Sequence, residues 1–228
     1  MPRALELKLG RAFGRAALSL GLFKWKTCQG NIALCFPELD EAARARLLES
    51  NYEHYGILFF EFAHFFTPIP GHFARYARSI SRLDNKDIWE AAKAKGKGVL
   101  FFSSHLGFWE MSAASAGLSG INPTVVTTIL KPAWLHEQIT GCRASAGVLQ
   151  AFHPGSMPSV LKALRRGGSV AFMNDQYARP PMGLPVVFFG QLVDTLAVVG
   201  SLAKRTGAVV LPVATLRDAD GVNVTTIE

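Results

Sequence analysis

The chain has 228 residues, of which 49% are hydrophobic and 18% are charged. This composition predicts a folded protein with a substantial hydrophobic core and argues against disorder. The net charge of +7 favours an anionic partner such as a phospholipid surface, a nucleic acid or an acidic protein, although a solubilising surface charge explains it equally well. Three cysteines without a C-x-x-C pair, and no convincing export signal, favour a reducing compartment. No spacing typical of a metal site stands out, and no cofactor is expected.

The N-terminal segment, residues 1–26, is predicted to form an amphipathic helix lying in a membrane interface. Apolar residues recur at helical spacing from Leu5 to Leu20, while Lys8, Arg11 and Arg15 share another face. The uncharged run from Ala16 to Phe23 is too short to span a bilayer. An ordinary helix packed on the domain is the alternative.

Residues 27–97 are interpreted as a mostly helical lead-in. Asp40 is a candidate N-cap of a helical run that the segment "TPIPG" ends, beginning at Thr67. Within this run, Glu61 and His64 are interpreted as a partnered polar pair in a helical core. A role in lining a substrate site is the alternative.

From residue 98 to 228, apolar strands alternate with helices. The predicted strands are residues 99–104, 124–129, 148–152, 169–174 and 208–215, and the predicted helices are residues 108–118, 134–146, 156–167 and 194–206. A last strand after the "DADG" turn is expected to be antiparallel. The pattern predicts an α/β fold with a largely parallel central sheet flanked by helices and an N-terminal helical segment. A single domain, 1–228, is expected, with residues 98–228 as its catalytic core. The chain stops directly after the last strand, and truncation at the C-terminus is one interpretation of this.

One histidine stands where a predicted strand gives way to a helix, in "GVLFFSSHLGFWEM". Chemistry in open α/β sheets collects at the carboxyl ends of strands, which is where His105 lies. Gly107 permits a sharp turn, so Glu110 is expected to fold back and hold the tautomer of the imidazole. Without a G-x-S-x-G elbow, direct activation of a substrate hydroxyl by His105 fits better than a covalent acyl-enzyme. Simple helix capping by His105 is the plainer alternative.

Several segments carry a resemblance to a known family. "HLGFWE" resembles the H-x4-D/E motif of the glycerophospholipid and lysophospholipid acyltransferase superfamily. The blocks "NIALCFPEL", "GKGVLFFSSHLGFWEM", "NDQYARPPMGLPVVFFG" and "DTLAVVGSLAKRTGAVVLPV" occur in the order seen in the late acyltransferases of lipid A biosynthesis, the lauroyl and myristoyl transferases. The resemblance covers about residues 10–213.

The resemblance implies transfer of a fatty acyl chain from an acyl thioester, on acyl carrier protein or coenzyme A, to a hydroxyl of a lipid A precursor or related glycolipid. The cytoplasmic face of a bacterial inner membrane is the implied location. His105 would be the general base with Glu110 as its partner, and Arg143 would hold the thioester oxyanion or a substrate phosphate. The resemblance further assigns to the site Asp175 and Gln176, which support it, and Phe188, Phe189 and Gly190, which shape the acceptor or acyl pocket.

Plainer interpretations stay open for these residues. Arg143 near a helix C-terminus complements the helix dipole, Asp175 after a strand caps a turn, and Phe188 with Phe189 belongs to the core. Another membrane acceptor (a lysophospholipid, ornithine lipid or mannosylated lipid) is an alternative substrate, and a non-catalytic basic membrane-binding protein is an alternative class. Nucleic acid is not expected, since no RNP-like, zinc-finger or helix-turn-helix signature is present.

Two departures from the family pattern bear on attachment. Relatives usually carry an N-terminal membrane-spanning segment and continue past the equivalent of Glu228, so a shortened chain or a peripheral protein is expected. Basic residues on the predicted helices are candidates for a docking patch for an acidic carrier, or equally for solvated helix faces: Lys131, Lys162, Arg165, Arg166, Lys204 and Arg205.

Overall fold

The computed structural model describes residues 1–228, which group into two compact units. The first unit comprises residues 1–66 and 186–193 and is mostly helical. The second comprises residues 67–185 and 194–228 and contains the main sheet. No helix is both long and apolar enough to cross a lipid bilayer.

The helices and strands follow one another as the sequence pattern predicts over most of the chain. The helices are α1 (Arg3–Ser19), α2 (Trp25–Cys35), α3 (Glu41–Ala63), a 3-10 turn (His64–Phe66), α4 (His72–Ile80), α5 (Lys86–Ala94), α6 (Trp109–Leu118), α7 (Ala133–Ser145), α8 (Met157–Arg165) and α9 (Val198–Thr206). The strands are β1 (Ser81–Asp84), β2 (Val99–Ser103), β3 (Thr124–Thr128), β4 (Leu149–His153), β5 (Ser169–Met173), β6 (Gly183–Phe188), β7 (Gln191–Leu196), β8 (Val209–Arg217) and β9 (Asn223–Ile227).

In the first unit, α1 and α3 approach each other through glycines. A Cβ at Gly14 would lie 2.1 Å from the carbonyl oxygen of Tyr52, and a Cβ at Gly56 would lie 2.1 Å from the carbonyl oxygen of Gly10. Because no other residue fits these positions without displacing a backbone, the two helices are held at an unusually short separation. The N-cap predicted for α3 is confirmed, since the Asp40 side chain accepts the N–H of Ala43 at 2.6 Å.

The face that α1 turns toward α3 is not its apolar stripe. The buried residues of α1 are Glu6, two glycines and an alanine, whereas Leu5, Leu9 and Phe13 are between 38% and 46% exposed. The Phe13 ring stacks on that of Phe59 of α3, itself exposed, with centroids 4.9 Å apart. A helix is therefore present, but it ends at Ser19 instead of continuing to residue 26, and a second helix begins at Trp25. Leu5, Leu9 and Phe13 of the first helix are exposed.

Buried charges join the ends of α1 and α3. Glu61 is completely buried and accepts a hydrogen bond from Arg3 at 2.5 Å, and Arg3 also donates to Glu6 at 2.8 Å. His64 Nε2 lies 3.1 Å from a carboxylate oxygen of Glu6. Glu61 and His64, predicted to partner each other, each have a partner on α1 instead, Arg3 for Glu61 and Glu6 for His64. Such a buried network is stable only when every member is satisfied.

The second unit is built on a seven-stranded sheet with the order β1-β9-β8-β2-β5-β3-β4. Neighbouring strands run parallel except β8 and β9, which are antiparallel, as predicted for the last strand. Consecutive residues of β2 point to opposite faces, so Leu100 joins a core cluster under α8 and α9 while Phe101 joins another under α5 and α6. The α/β fold with a largely parallel, doubly covered sheet is confirmed.

One predicted element is partly wrong. Residues 194–196, expected to begin a helix, form the end of β7, and the helix begins only at Val198. The reason is the turn between β6 and β7, where Phe189 and Gly190 both adopt left-handed backbone conformations with φ of 48° and 71°. A two-residue turn of this kind closes a tight β-hairpin, which extends strand structure on both sides.

Candidate active site

His105 and Asp175 lie side by side because of the register of two neighbouring strands. Strands β2 and β5 are parallel, and Ser103 at the end of β2 is opposite Met173 at the end of β5. Each of the two polar residues follows the last residue of its strand by two positions. The two loops therefore leave the carboxyl edge of the sheet together, where ligands bind in open α/β sheets.

The Asp175 carboxylate holds His105 at two points. Oδ1 lies 2.8 Å from Nδ1 of the imidazole, and Oδ2 accepts the backbone N–H of His105 at 2.7 Å. A carboxylate only accepts, so Nδ1 carries the proton and Nε2 keeps its lone pair. The ring also meets the edge of Trp109, with centroids 5.1 Å apart. This is an imidazole of fixed orientation with a basic nitrogen free for a substrate proton.

Glu110 has a different partner from the one expected. It lies in the first turn of α6, and its two carboxylate oxygens accept hydrogen bonds from Nε and Nη2 of Arg143 at 2.9 and 2.7 Å. Glu110 is 6% exposed and Arg143 13%. The expected pairing of Glu110 with His105 is absent from the structure. The Glu110 carboxylate forms a buried bidentate ion pair with Arg143, and the imidazole is paired with Asp175.

Arg143 comes from the last turn of α7 and is fixed by more than one neighbour. Its Nη1 donates to the Thr127 hydroxyl at 3.3 Å, in addition to the two bonds to Glu110. Burial lowers the pKa of Arg143, but the hydrogen bonds and charge of Glu110 raise it more, and the net result is a pKa above the usual value. The guanidinium is therefore permanently charged. Of its five N–H groups, two remain for a ligand.

The turn between β2 and α6 depends on Gly107, as predicted. Its φ of 63° lies in the left-handed region, and a Cβ there would lie 2.1 Å from the carbonyl oxygen of Thr215. Any side chain would push this loop away from β8 and displace His105 with it. Ser103 is not a nucleophile in this arrangement, because its hydroxyl donates to the carbonyl of Val213 at 2.9 Å.

A cavity of about 990 Å³ opens beside His105 within the second unit. It lies at the upper end of the range of about 300–1,000 Å³ typical of small-ligand pockets. Its lining includes His105, Glu110 and Arg143 together with apolar residues of both core clusters, among them Phe101, Ala116, Val126, Phe172, Val198 and Ile227. A cavity that combines charged groups with many apolar side chains suits a ligand with a polar reactive head and a hydrocarbon tail.

The remaining residues assigned by resemblance fall into two groups. Gln176 lines the cavity, and Asp175 acts on it through His105. Phe188, Phe189 and Gly190 are not among the residues lining the cavity. They form the end and turn of the β6–β7 hairpin, where Phe189 packs edge-on against Phe36 with centroids 5.1 Å apart.

Sequence reasoning missed several residues of the cavity wall. Trp109, Tyr177 and Arg179 all line it. Arg179 has no carboxylate within ion-pair distance, so it presents an uncompensated positive charge at the site. The available signal was position, because "NDQYAR" directly follows β5 and so lies at the same edge of the sheet as His105.

These features define a class of protein. The carboxyl edge of the parallel sheet carries an imidazole oriented by a carboxylate, an ion-paired arginine and a largely apolar cavity. These are features of an α/β enzyme whose candidate site takes a ligand with an apolar part.

Comparison with known proteins gives the family. The model of the bacterial lipid A biosynthesis acyltransferases matches residues 1–227, and the chain belongs to this family. A lipid A biosynthesis lauroyltransferase of Escherichia coli (strain K12) is 25% identical over 225 residues, covering 97% of this chain and 71% of that relative. The chain is therefore an acyltransferase of lipid A biosynthesis, a reaction that requires an acyl donor and a lipid acceptor. The resemblance seen in the sequence is confirmed.

Proposed function

We propose that this enzyme transfers a fatty acyl chain from an acyl thioester to a hydroxyl of a lipid A precursor, with His105 as the general base. One observation carries the assignment of the base: Nδ1 of His105 is held by Asp175, while Nε2 has no protein partner in the wall of an apolar cavity. The proposed orienter is thus Asp175, and Glu110 acts through Arg143.

In the proposed reaction, Nε2 of His105 takes the proton of the acceptor hydroxyl as its oxygen attacks the thioester carbonyl. The carbon–oxygen bond forms and the carbonyl oxygen becomes an oxyanion. When the tetrahedral intermediate collapses, the carbon–sulfur bond breaks, and the imidazolium returns its proton to the leaving sulfur. The products are an ester and a free thiol, and the histidine is regenerated. The Asp175 carboxylate stabilises the imidazolium between these steps.

Arg143 is the proposed oxyanion group. Its two unused N–H groups and its permanent charge are directed by Glu110 and Thr127, so little reorganisation is needed when negative charge develops. The same donors suit a substrate phosphate. The role proposed for Glu110 is to fix the plane of the guanidinium, and Gln176, which lines the cavity, is proposed to contact the substrate head.

The name of the Escherichia coli relative supports a lauroyl chain as the first donor to test. The proposed carrier is acyl carrier protein or coenzyme A, and both bring negative charge to a chain of net charge +7. We further propose that the enzyme works at the cytoplasmic face of the inner membrane. The outward-facing stripe of α1, with Leu5, Leu9 and Phe13, supports attachment to the membrane surface.

The test is transfer in a defined mixture. Purified protein, lauroyl thioester and detergent-dispersed lipid A precursor are incubated, and mass spectrometry follows the gain of one lauroyl group by the acceptor. His105→Ala should lower the rate by about 10²- to 10⁴-fold, the usual contribution of a general base, with an unchanged melting temperature. Full activity of this variant would refute the assignment of the base. If no acceptor supports cleavage of the thioester, the result would favour a non-catalytic membrane-binding protein.

A further inference from the structure

The hairpin formed by β6 and β7 exposes apolar side chains that acyl transfer at the cavity does not explain. The 14 residues from Pro180 to Val193 include no charged residue. Val187 is 75% exposed and Leu192 is 73% exposed, and Phe188 beside Val187 is 60% exposed. Exposed apolar patches of this kind mark interaction surfaces rather than random surface composition.

The exposure extends to both faces of the hairpin. Consecutive residues of a strand point to opposite faces, so Val187 and Phe188 show that neither face is covered. A groove on a protein partner covers one face of a two-stranded ribbon. Immersion in a fluid apolar phase covers both, and this observation favours lipid over a protein partner.

The surrounding unit has the composition of a lipid-binding surface. The first unit holds 74 of the 228 residues but 17 of the 29 large apolar side chains that are exposed. Between residues 1 and 30 there are six basic residues and one acidic residue. Arg3 and Arg15 pair with glutamates. The other four, Lys8, Arg11, Lys24 and Lys26, are exposed and complement anionic phospholipid headgroups. The contact between Phe189 and Phe36 ties the hairpin turn to this unit.

We propose that the hairpin tip, residues 186–193, inserts into the interfacial layer of an anionic phospholipid bilayer as a second anchor beside α1. Insertion is shallow, because the open edges of a two-stranded ribbon carry backbone groups that cannot be left unpaired in hydrocarbon. An interfacial element reaches about 5–10 Å into the boundary between headgroups and acyl chains, a depth that suits a hairpin tip. The lipid contact stands independently of the reaction.

The hairpin also links the lipid contact to catalysis, and this part rests on the proposed function. Met182, just before β6, and Leu196, at the end of β7, line the cavity that contains His105. Strands β6 and β7 therefore connect the tip along the chain to two residues of the cavity wall. An acceptor presented in vesicles should depend on the tip, whereas one dispersed in detergent should not.

The first experiment measures vesicle binding by flotation, with vesicles of phosphatidylethanolamine containing phosphatidylglycerol. The variant Val187→Ser/Leu192→Ser removes two apolar side chains from the tip and should weaken binding about tenfold or more, since burial of such side chains is strongly favourable. The matched control, Leu149→Ser/Val210→Ser, changes the same residue types at exposed strand positions outside the cavity and should bind like the wild type. Circular dichroism melting verifies that both variants are folded.

A second measurement reports depth. Val187→Trp should gain fluorescence quenching by brominated lipids beyond the background of the four native tryptophans. Equal vesicle binding by the tip variant and the control, or no added quenching at position 187, overturns the proposal. Loss of a dimer in the tip variant with unchanged vesicle binding also overturns it and assigns the surface to a second copy of the chain.

The two proposals fail separately. The tip variant should keep its activity on detergent-dispersed acceptor and lose it on acceptor in vesicles. If the wild type shows no acyl transfer under either condition, the proposed function fails while the flotation and quenching results still decide the insertion.

Discussion

The change Asp175→Asn tests which carboxylate orients the catalytic imidazole. The native carboxylate accepts two hydrogen bonds, from Nδ1–H and from the backbone N–H of His105, at 2.8 and 2.7 Å. The asparagine amide has the same shape but only one oxygen. If that oxygen accepts the backbone N–H of His105, the NH2 group faces Nδ1. The ring must accept there and carry its proton on Nε2. The base needed for the hydroxyl is lost with no change in volume.

The expected loss in kcat is about 10²- to 10⁴-fold, which corresponds to roughly 3–5 kcal/mol of transition-state stabilisation. KM should change little, because Asp175 is outside the cavity wall. The assay is single-time-point and progress-curve measurement of lauroyl transfer, with Asp220→Asn as an isosteric control on an exposed turn. An Asp175→Asn enzyme with nearly wild-type kcat, beside an inactive Glu110→Gln enzyme of unchanged stability, would restore Glu110 as the partner of the histidine.

Three further predictions follow from the site. Glu110→Gln leaves the buried Arg143 charge uncompensated and should lower the free energy of unfolding by about 3 kcal/mol; Arg143→Met in the same chain should recover much of this, as a denaturant double-mutant cycle will measure. Gly107→Ala should destabilise the fold by at least about 2 kcal/mol, because its Cβ meets the carbonyl of Thr215; an unchanged melting temperature would contradict the close approach. Arg179→Ala should raise KM at unchanged kcat, with Arg217→Ala as the control; equal KM values would exclude Arg179 from binding an anionic group.

The elements of the sheet could be predicted because their hydrophobic patterns are local. Strand β2 is an apolar run that stops at a polar pair and a glycine turn, and the start of β9 follows a clear "DADG" turn. The start of α9 could not be predicted in the same way. The segment 194–196 is compatible with a helix, and only pairing with β6 across the Phe189–Gly190 turn makes it a strand.

The catalytic pairing could not be predicted from local spacing. Glu110 is five positions from His105 and Asp175 is seventy away, so the sequence favours the nearer carboxylate. Strand order decides the matter, because β5 is the neighbour of β2 although β3 and β4 intervene in the chain. Arg143 was assigned to the site by resemblance, but its bidentate bond to Glu110 depends on how α6 and α7 meet.

The shared register of β2 and β5 constrains how these genes can vary in length. His105 and Asp175 meet because each lies two residues after the end of its strand, and the two strand ends, Ser103 and Met173, are paired in the sheet. One extra residue in either loop would carry one partner past the other, whereas a residue gained in both could preserve the match. Insertions and deletions at these two loops should therefore be either absent or paired among active relatives, while the turn after β8 is free of this constraint.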